Sequence, residues 1–219
     1  MNIIYIHGLD SDANSTKGRL LEDYCRQHHS DIKVLRPDLN KTPEQVFSQI
    51  LSLIKSLEDQ DESSKDKPSQ LSTTVLIGSS LGGYFSTLAS NYTGCSALLL
   101  NPSPQPHITL QRFANDFALK NDVKVEDLSS QIIHSTAGGW NINQADLQWF
   151  EAHQLLTVNY PNKIAVLIKE GDELLNPELS KHFYKEQGAT VVMQTGGDHR
   201  FSDFDKQLPM VIDMLQQLV

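Results

Sequence analysis

The sequence predicts an α/β domain: a mainly parallel sheet of about six strands with helices on both faces and a helical insertion. Three observations carry this. Short apolar, β-rich runs recur along the chain, most are separated by stretches able to hold a helix, and several end in Gly-containing turns. Alternation of this kind gives parallel strands whose two faces are both covered, which is why the runs are nearly continuously apolar. At 219 residues the chain reads as one domain, 1–219.

In chain order the expected strands are Asn2–Ile6, Ile32–Leu35, Thr73–Ile77, Ala97–Leu100, Ile164–Lys169 and Thr190–Gln194. The clearest helix begins at Thr42-Pro43-Glu44-Gln45, where Thr42 can cap, Pro43 suits the first turn and Gln45 completes a capping box. Its apolar stripe is Val46, Phe47, Ile50, Leu53, Ile54 and Leu57 at helical spacing, which is a core face. Asp59–Gln70 has no apolar residue and reads as a solvated, mobile surface loop. A further helix is expected over Leu81–Asn91, and an apolar helical pattern closes the chain.

Between the fourth and fifth strands lie about sixty residues, 102–162, far more than a connection in an α/β unit needs. This insertion contains Phe113, Phe117, Trp140, Trp149 and Phe150, with a Gly138-Gly139 pair that could act as a hinge. Two readings stand side by side: helices packing on a small core of their own, or a cap over a substrate. In the second, Trp140 and Trp149 are the candidates for substrate contact, because their indoles offer the largest apolar surfaces in the segment.

Composition excludes several classes. With 39% hydrophobic and 21% charged residues, the chain is globular rather than disordered. A formal charge of −9 without a basic patch argues against nucleic acid or an anionic membrane as partner. The first residues form too short an apolar run for a signal or membrane span, and Cys25 and Cys95 are far apart, outside any CxxC. Free, buried thiols in a reducing, cytoplasmic setting are expected.

The chemistry concentrates at predicted strand ends. Gly78-Ser79-Ser80-Leu81-Gly82 fits G-x-S-x-G at a strand-to-helix turn, the setting that projects a serine hydroxyl. A dinucleotide fingerprint would need Gly where Ser80 stands, and no Gly-Lys-Ser/Thr follows for a P-loop. A serine nucleophile needs a base, and His199 in Gly196-Gly197-Asp198-His199 follows the last strand, at the same sheet edge. The other seven histidines lie in helices, in the insertion or, for His7, on the first loop, where bracing is the expected role. Asp172, in Gly171-Asp172-Glu173 after the fifth strand, is the leading carboxylate to orient the imidazole. Glu173 is expected to point elsewhere, and Asp198 would have to fold back on its neighbour. Leu9, after His7-Gly8, and Leu81, after Ser80, are the expected backbone N–H donors to an oxyanion.

Together these segments resemble the YqiA-like bacterial esterases of the α/β-hydrolase superfamily. The matching stretches are IYIHGLDSD, IGSSLGGY, Asn101-Pro102, EGDELL and GGDH, spread over nearly the whole chain. The resemblance implies hydrolysis of acyl esters or thioesters through Ser80, Asp172 and His199, with a small-molecule substrate and neither cofactor nor metal. The alternatives are a non-catalytic binding protein on this fold, or C–C hydrolysis or perhydrolysis on the same triad.

Overall fold

The structure, a computed structural model, describes residues 1–63, 73–129 and 131–219. Six strands form one sheet: β1 (Asn2–Ile6), β2 (Lys33–Leu35), β3 (Thr74–Ser79), β4 (Ser96–Leu100), β7 (Ile164–Lys169) and β8 (Thr190–Gln194). Their order is β2-β1-β3-β4-β7-β8, and every neighbouring pair is parallel. All six strands coincide with the apolar runs of the sequence to within one or two residues.

Strand pleating explains why those runs are apolar throughout. Ile3 and Tyr5 of β1, Val75 and Ile77 of β3, Leu98 and Leu100 of β4, and Ala165 and Leu167 of β7 face one core. On that side α1 (Thr16–His28) and α8 (Phe204–Gln217) close the layer with Leu21, Cys25, Leu208, Val211, Ile212 and Leu215. The alternate residues, among them Ile4, Ile6, Leu76, Leu99 and Val166, face a second core built by α2 (Pro43–Ser63), α3 (Leu81–Thr93) and α7 (Pro177–Glu186). Both cysteines are free and buried, one in each core.

Helix α2 starts at Pro43, with the Val46 N–H donating to the Thr42 carbonyl at 3.0 Å, and its expected stripe packs into the core. It runs further than the composition suggests, through Ser63, so residues 59–63 of the expected loop are helical. Asp, Glu, Gln and Ser contain no helix breaker, and a helix seated by Leu57 and the apolar turns before it is prolonged at little cost. The rest of that expected loop, 64–70, lies outside the described residues.

The 102–162 segment folds as α4 (Pro106–Thr109), α5 (Gln111–Asn121), a hairpin of β5 (His134–Ser135) and β6 (Asn141–Ile142), and α6 (Gln144–Ala152). It has no separate core. Leu110, Ala114, Leu128, Ile142, Leu147 and Phe150 join the cluster that contains Leu76, Tyr84 and Leu99, so the segment continues the α2/α3 layer. Gly138-Gly139 is the hairpin turn, with the Gly139 N–H bonded to the Thr136 carbonyl and Ala137 N–H to Asp10 Oδ1. The pair that the sequence offers as a hinge thus sits in a hydrogen-bonded turn tied to the loop after β1.

Candidate active site

The sheet order reverses direction between β1 and β3: from β1 the chain crosses outward to β2, then returns to lay β3 on the other side. Loops leaving the two strands at such a point diverge and open a crevice. Ile6 of β1 pairs with Gly78 of β3, so the Gly8-Leu9 and Ser80-Leu81 turns emerge side by side.

Ser80 sits at the apex of the β3–α3 turn with φ 55° and ψ −118°, a left-sided conformation costly for a residue with a Cβ. The surroundings hold it there. Its N–H donates to the Leu100 carbonyl, and its carbonyl accepts from the Gly83 and Ser103 N–H groups. The turn is so tight that a Cβ at Gly82 would lie 2.1 Å from the Ile6 carbonyl oxygen, and one at Gly78 2.3 Å from the Gly82 oxygen. Glycine there is a steric requirement.

The structure brings Ser80, His199 and Asp172 together. His199 Nε2 lies 3.0 Å from Ser80 Oγ, and His199 Nδ1 lies 2.8 Å from Asp172 Oδ2. With the carboxylate accepting from Nδ1–H, Nε2 presents its lone pair to the serine hydroxyl. Asp172 is itself fixed, because Oδ1 accepts from the N–H groups of Leu174 and Leu175 at 2.9 and 2.8 Å. The carboxylate side chain is 2% exposed and the imidazole 12%.

The rival carboxylates have other work. Asp198 Oδ1 accepts from the Ser202 N–H at 3.0 Å, and hydrogen bonds from the Ser202 hydroxyl and N–H hold its carboxyl below the ordinary range. Glu173, expected to point away, reaches back so that Oε2 accepts from the His199 N–H at 3.0 Å. Asp172 and Glu173 therefore grip the ring and the backbone of the same histidine.

Asn101 is a residue that composition and spacing did not single out. Buried at the end of β4 with φ 42°, it accepts from the Lys169 N–H through Oδ1, and its Nδ2 donates to the carbonyls of Asp198 and His199 at 3.1 and 3.3 Å. It ties the His199 turn to two strand ends. Its signal in the sequence was the Asn-Pro step after a strand, since Asn tolerates positive φ better than most residues. Lys169 braces the turn from the other core, with Nζ 2.7 Å from Asp203 Oδ2 and 5.0 Å from the Phe201 ring centroid.

His7 is a bracing residue. Its Nε2 accepts from the Leu39 N–H at 3.0 Å, which leaves Nδ1–H to donate to the Gly8 carbonyl at 2.9 Å. Burial lowers its pKa, opposed by the Gly8 carbonyl and by Asp38 and Asp12, so the neutral ring fits its acceptor role. This fixes the loop that carries Leu9. Leu81 is the first residue of α3, where an N–H has no acceptor within the helix, and Leu9, Leu81, Ser80 and His199 all line one cavity of about 500 Å³.

Trp140 and Trp149 do not line that cavity. Trp140 is buried, its Nε1–H donating to Asp146 Oδ2 at 3.2 Å, and Trp149 stacks on His153 and packs against Phe47, Phe85 and Phe150. The large rings pack at the joint between the segment and the α2/α3 layer, where Trp140 also lines a second, smaller cavity with Gly8, Leu9 and Leu81. The part of the segment that reaches the cavity is its beginning, with Ser103, Thr109, Leu110 and Arg112. Among the described residues no cluster of three or more His, Cys, Asp or Glu side chains could hold a metal ion, and no helix is long and apolar enough to cross a membrane.

A doubly covered parallel sheet with a serine turn at its switch point is the α/β-hydrolase fold, and comparison with solved structures agrees on that fold. Est1E from Butyrivibrio proteoclasticus superposes with a TM-score of 0.70 at 17% identity, covering 99% of this chain and 88% of the other. Alpha/beta hydrolase domain-containing protein 10 from mouse gives 0.64 at 17% identity, covering 100% and 90%. A thermophilic esterase from Thermogutta terrifontis gives 0.63 at 14% identity, again covering 100% and 90%. Within that class the chain belongs to the YqiA-like family, described as the uncharacterised protein family UPF0227, whose model matches residues 2–216.

Proposed function

We propose that the protein is a serine hydrolase that cleaves acyl esters or acyl thioesters through Ser80, His199 and Asp172. The observation that carries this reading is the hydrogen-bonded line from Asp172 Oδ2 through the imidazole to Ser80 Oγ, at 2.8 and 3.0 Å, on a strained turn that opens into a cavity. Its fold neighbours include proteins named as esterases, which agrees with a hydrolase.

In this mechanism His199 Nε2 takes the Ser80 proton as Oγ attacks the acyl carbon. Asp172 holds the ring in the required tautomer and stabilises the imidazolium, while the Leu9 and Leu81 N–H groups receive the developing oxyanion. The imidazolium then protonates the departing alcohol or thiol. Water then attacks the acyl carbon as the same nitrogen takes its proton, and that proton passes to Ser80 Oγ as the C–Oγ bond breaks and the acid leaves. A binding protein would gain nothing from the strain at Ser80.

Treatment with a fluorophosphonate, followed by mass spectrometry of the digested protein, tests this directly. The adduct is expected on Ser80, absent from Ser80→Ala, and ester hydrolysis is expected to disappear in the same variant. An adduct on Ser79, or hydrolysis that survives Ser80→Ala, refutes the assignment.

A further inference from the structure

The cavity that exposes Ser80 is not an apolar slot. Leu110, Leu174 and Leu175 form part of its wall, but Lys17, Arg112 and Arg200 form another part, in a chain whose formal charge is −9. Two carboxylates, Asp10 and Asp12, share the lining, and each already accepts a backbone N–H: Asp10 from Ala137 at 2.9 Å and Asp12 from Asn14 at 2.6 Å.

Among the described residues none of these three cations makes an ion pair, which is also true of surface cations such as Lys33 and Lys55; what sets these three apart is that they line the cavity that exposes Ser80. Lys17 Nζ donates to the Arg200 carbonyl at 2.7 Å, a neutral acceptor that fixes the ammonium beside the His199 turn. Burial pushes its pKa down to about 8, Asp198 opposes that, and the neighbouring Arg200 charge adds to it. Arg112 rests its guanidinium over the Phe113 ring at 5.0 Å, a contact that leaves the N–H donors at its edge available. Lys17 and Arg200 are held beside one another, and Arg112 lines the same cavity. The neighbouring carboxylates Asp10, Asp12 and Asp198 are each bonded to a backbone N–H rather than to a cation, so an anion that enters with the substrate gains from the three cations.

We infer that the substrate of this site carries an anionic group, a carboxylate or a phosphate, which sits against Lys17, Arg112 and Arg200 while its acyl carbon lies at Ser80. This rests on the hydrolase reading above and narrows it. The leucines then receive the uncharged part of the molecule, and the net negative surface elsewhere turns the cavity into the favourable place for that anion.

The test is steady-state hydrolysis of four probes: phenyl acetate, 4-acetoxybenzoate, 4-acetoxyphenyl phosphate and phenyl hydrogen succinate. At least one anionic ester is expected to exceed phenyl acetate in kcat/KM by about tenfold at low ionic strength, with the advantage shrinking as salt is added. Which probe gains identifies the anion as carboxylate or phosphate, and on the leaving-group or acyl side. The anionic-to-neutral ratio is expected to fall about tenfold in Lys17→Met and in Arg112→Gln, to persist in Lys17→Arg, and to be unchanged in Lys55→Met, which removes an exposed charge from α2. Anionic esters hydrolysed no better than phenyl acetate, or a ratio that Lys17→Met leaves alone, overturn the inference while the hydrolase stands. Failure of all four probes, with no phosphonate adduct on Ser80, overturns both.

Discussion

The turns at the carboxyl edge of the sheet and the 102–162 segment are both densely constrained, but by different means. At the edge the backbone does the constraining: Ser80 is held at positive φ by bonds to Leu100, Gly83 and Ser103, and Gly78 and Gly82 are closed in by main-chain oxygens. In the segment the side chains do it, with Trp140, Trp149, Phe150 and Phe85 packed as a ring cluster on the α2/α3 layer. A backbone constraint fixes the direction of one hydroxyl. A packing constraint fills volume, and its position depends on whatever it packs against. Chemistry is therefore expected to fail sharply when the edge is altered, and stability when the segment is.

The largest effect should separate the two candidate carboxylates at the edge. Asp172→Asn is expected to lower kcat by about 10⁴-fold, because the amide favours the wrong imidazole tautomer. Asp198→Asn, which touches the turn through Ser202 rather than the ring, should cost less than about tenfold. The reverse ranking in ester hydrolysis would mean that the carboxylates have been assigned the wrong way round.

Next in size, Trp140→Ala should destabilise the fold by about 3–5 kcal/mol, read as a fall in the urea midpoint. Because the indole lies outside the cavity, kcat/KM for acetyl, butyryl and octanoyl esters should fall by one common factor. A loss that grows with chain length would bring the tryptophan back to the substrate.

Glycines sharpen the contrast at a smaller scale. Gly82→Ala places a methyl 2.1 Å from the Ile6 oxygen and should cost about 3 kcal/mol with loss of activity. Gly139, with φ 91° and nothing within 4 Å of a Cβ, meets only backbone strain, about 1 kcal/mol in Gly139→Ala with activity kept. Equal costs in thermal melts would mean that the elbow is less tightly closed than its distances indicate.

The smallest effect concerns His7. Burial lowers its pKa below 6.5, so the unfolded chain binds its proton more readily than the folded one. Its contribution is present in full above pH 6.5 and is lost as the pH falls through the lowered value, where a protonated Nε2 could no longer accept from Leu39. Unfolding free energy measured from pH 7.5 to 5 should therefore fall more steeply in the wild type than in His7→Asn. Parallel curves would remove His7 from the account.

The sequence by itself determined the six strands, the switch-edge location of the serine turn and the glycines that permit it, because these follow from local rules. A doubly covered strand must be apolar in both alternations, and a sharp strand-to-helix turn admits no Cβ at certain positions. The tertiary structure alone decided what depends on partners distant in the chain. Glu173 turned back to the His199 N–H, Asn101 bridged strands β4 and β7 to that turn, and Lys169 met Asp203. The tryptophans went to the α2/α3 layer rather than the cavity, since an apolar ring in sequence carries no address and is drawn to whichever apolar surface the assembled sheet and helices leave uncovered. Helix α2 outran its apolar stripe because continuing a formed helix is cheap, a cooperativity that composition does not display.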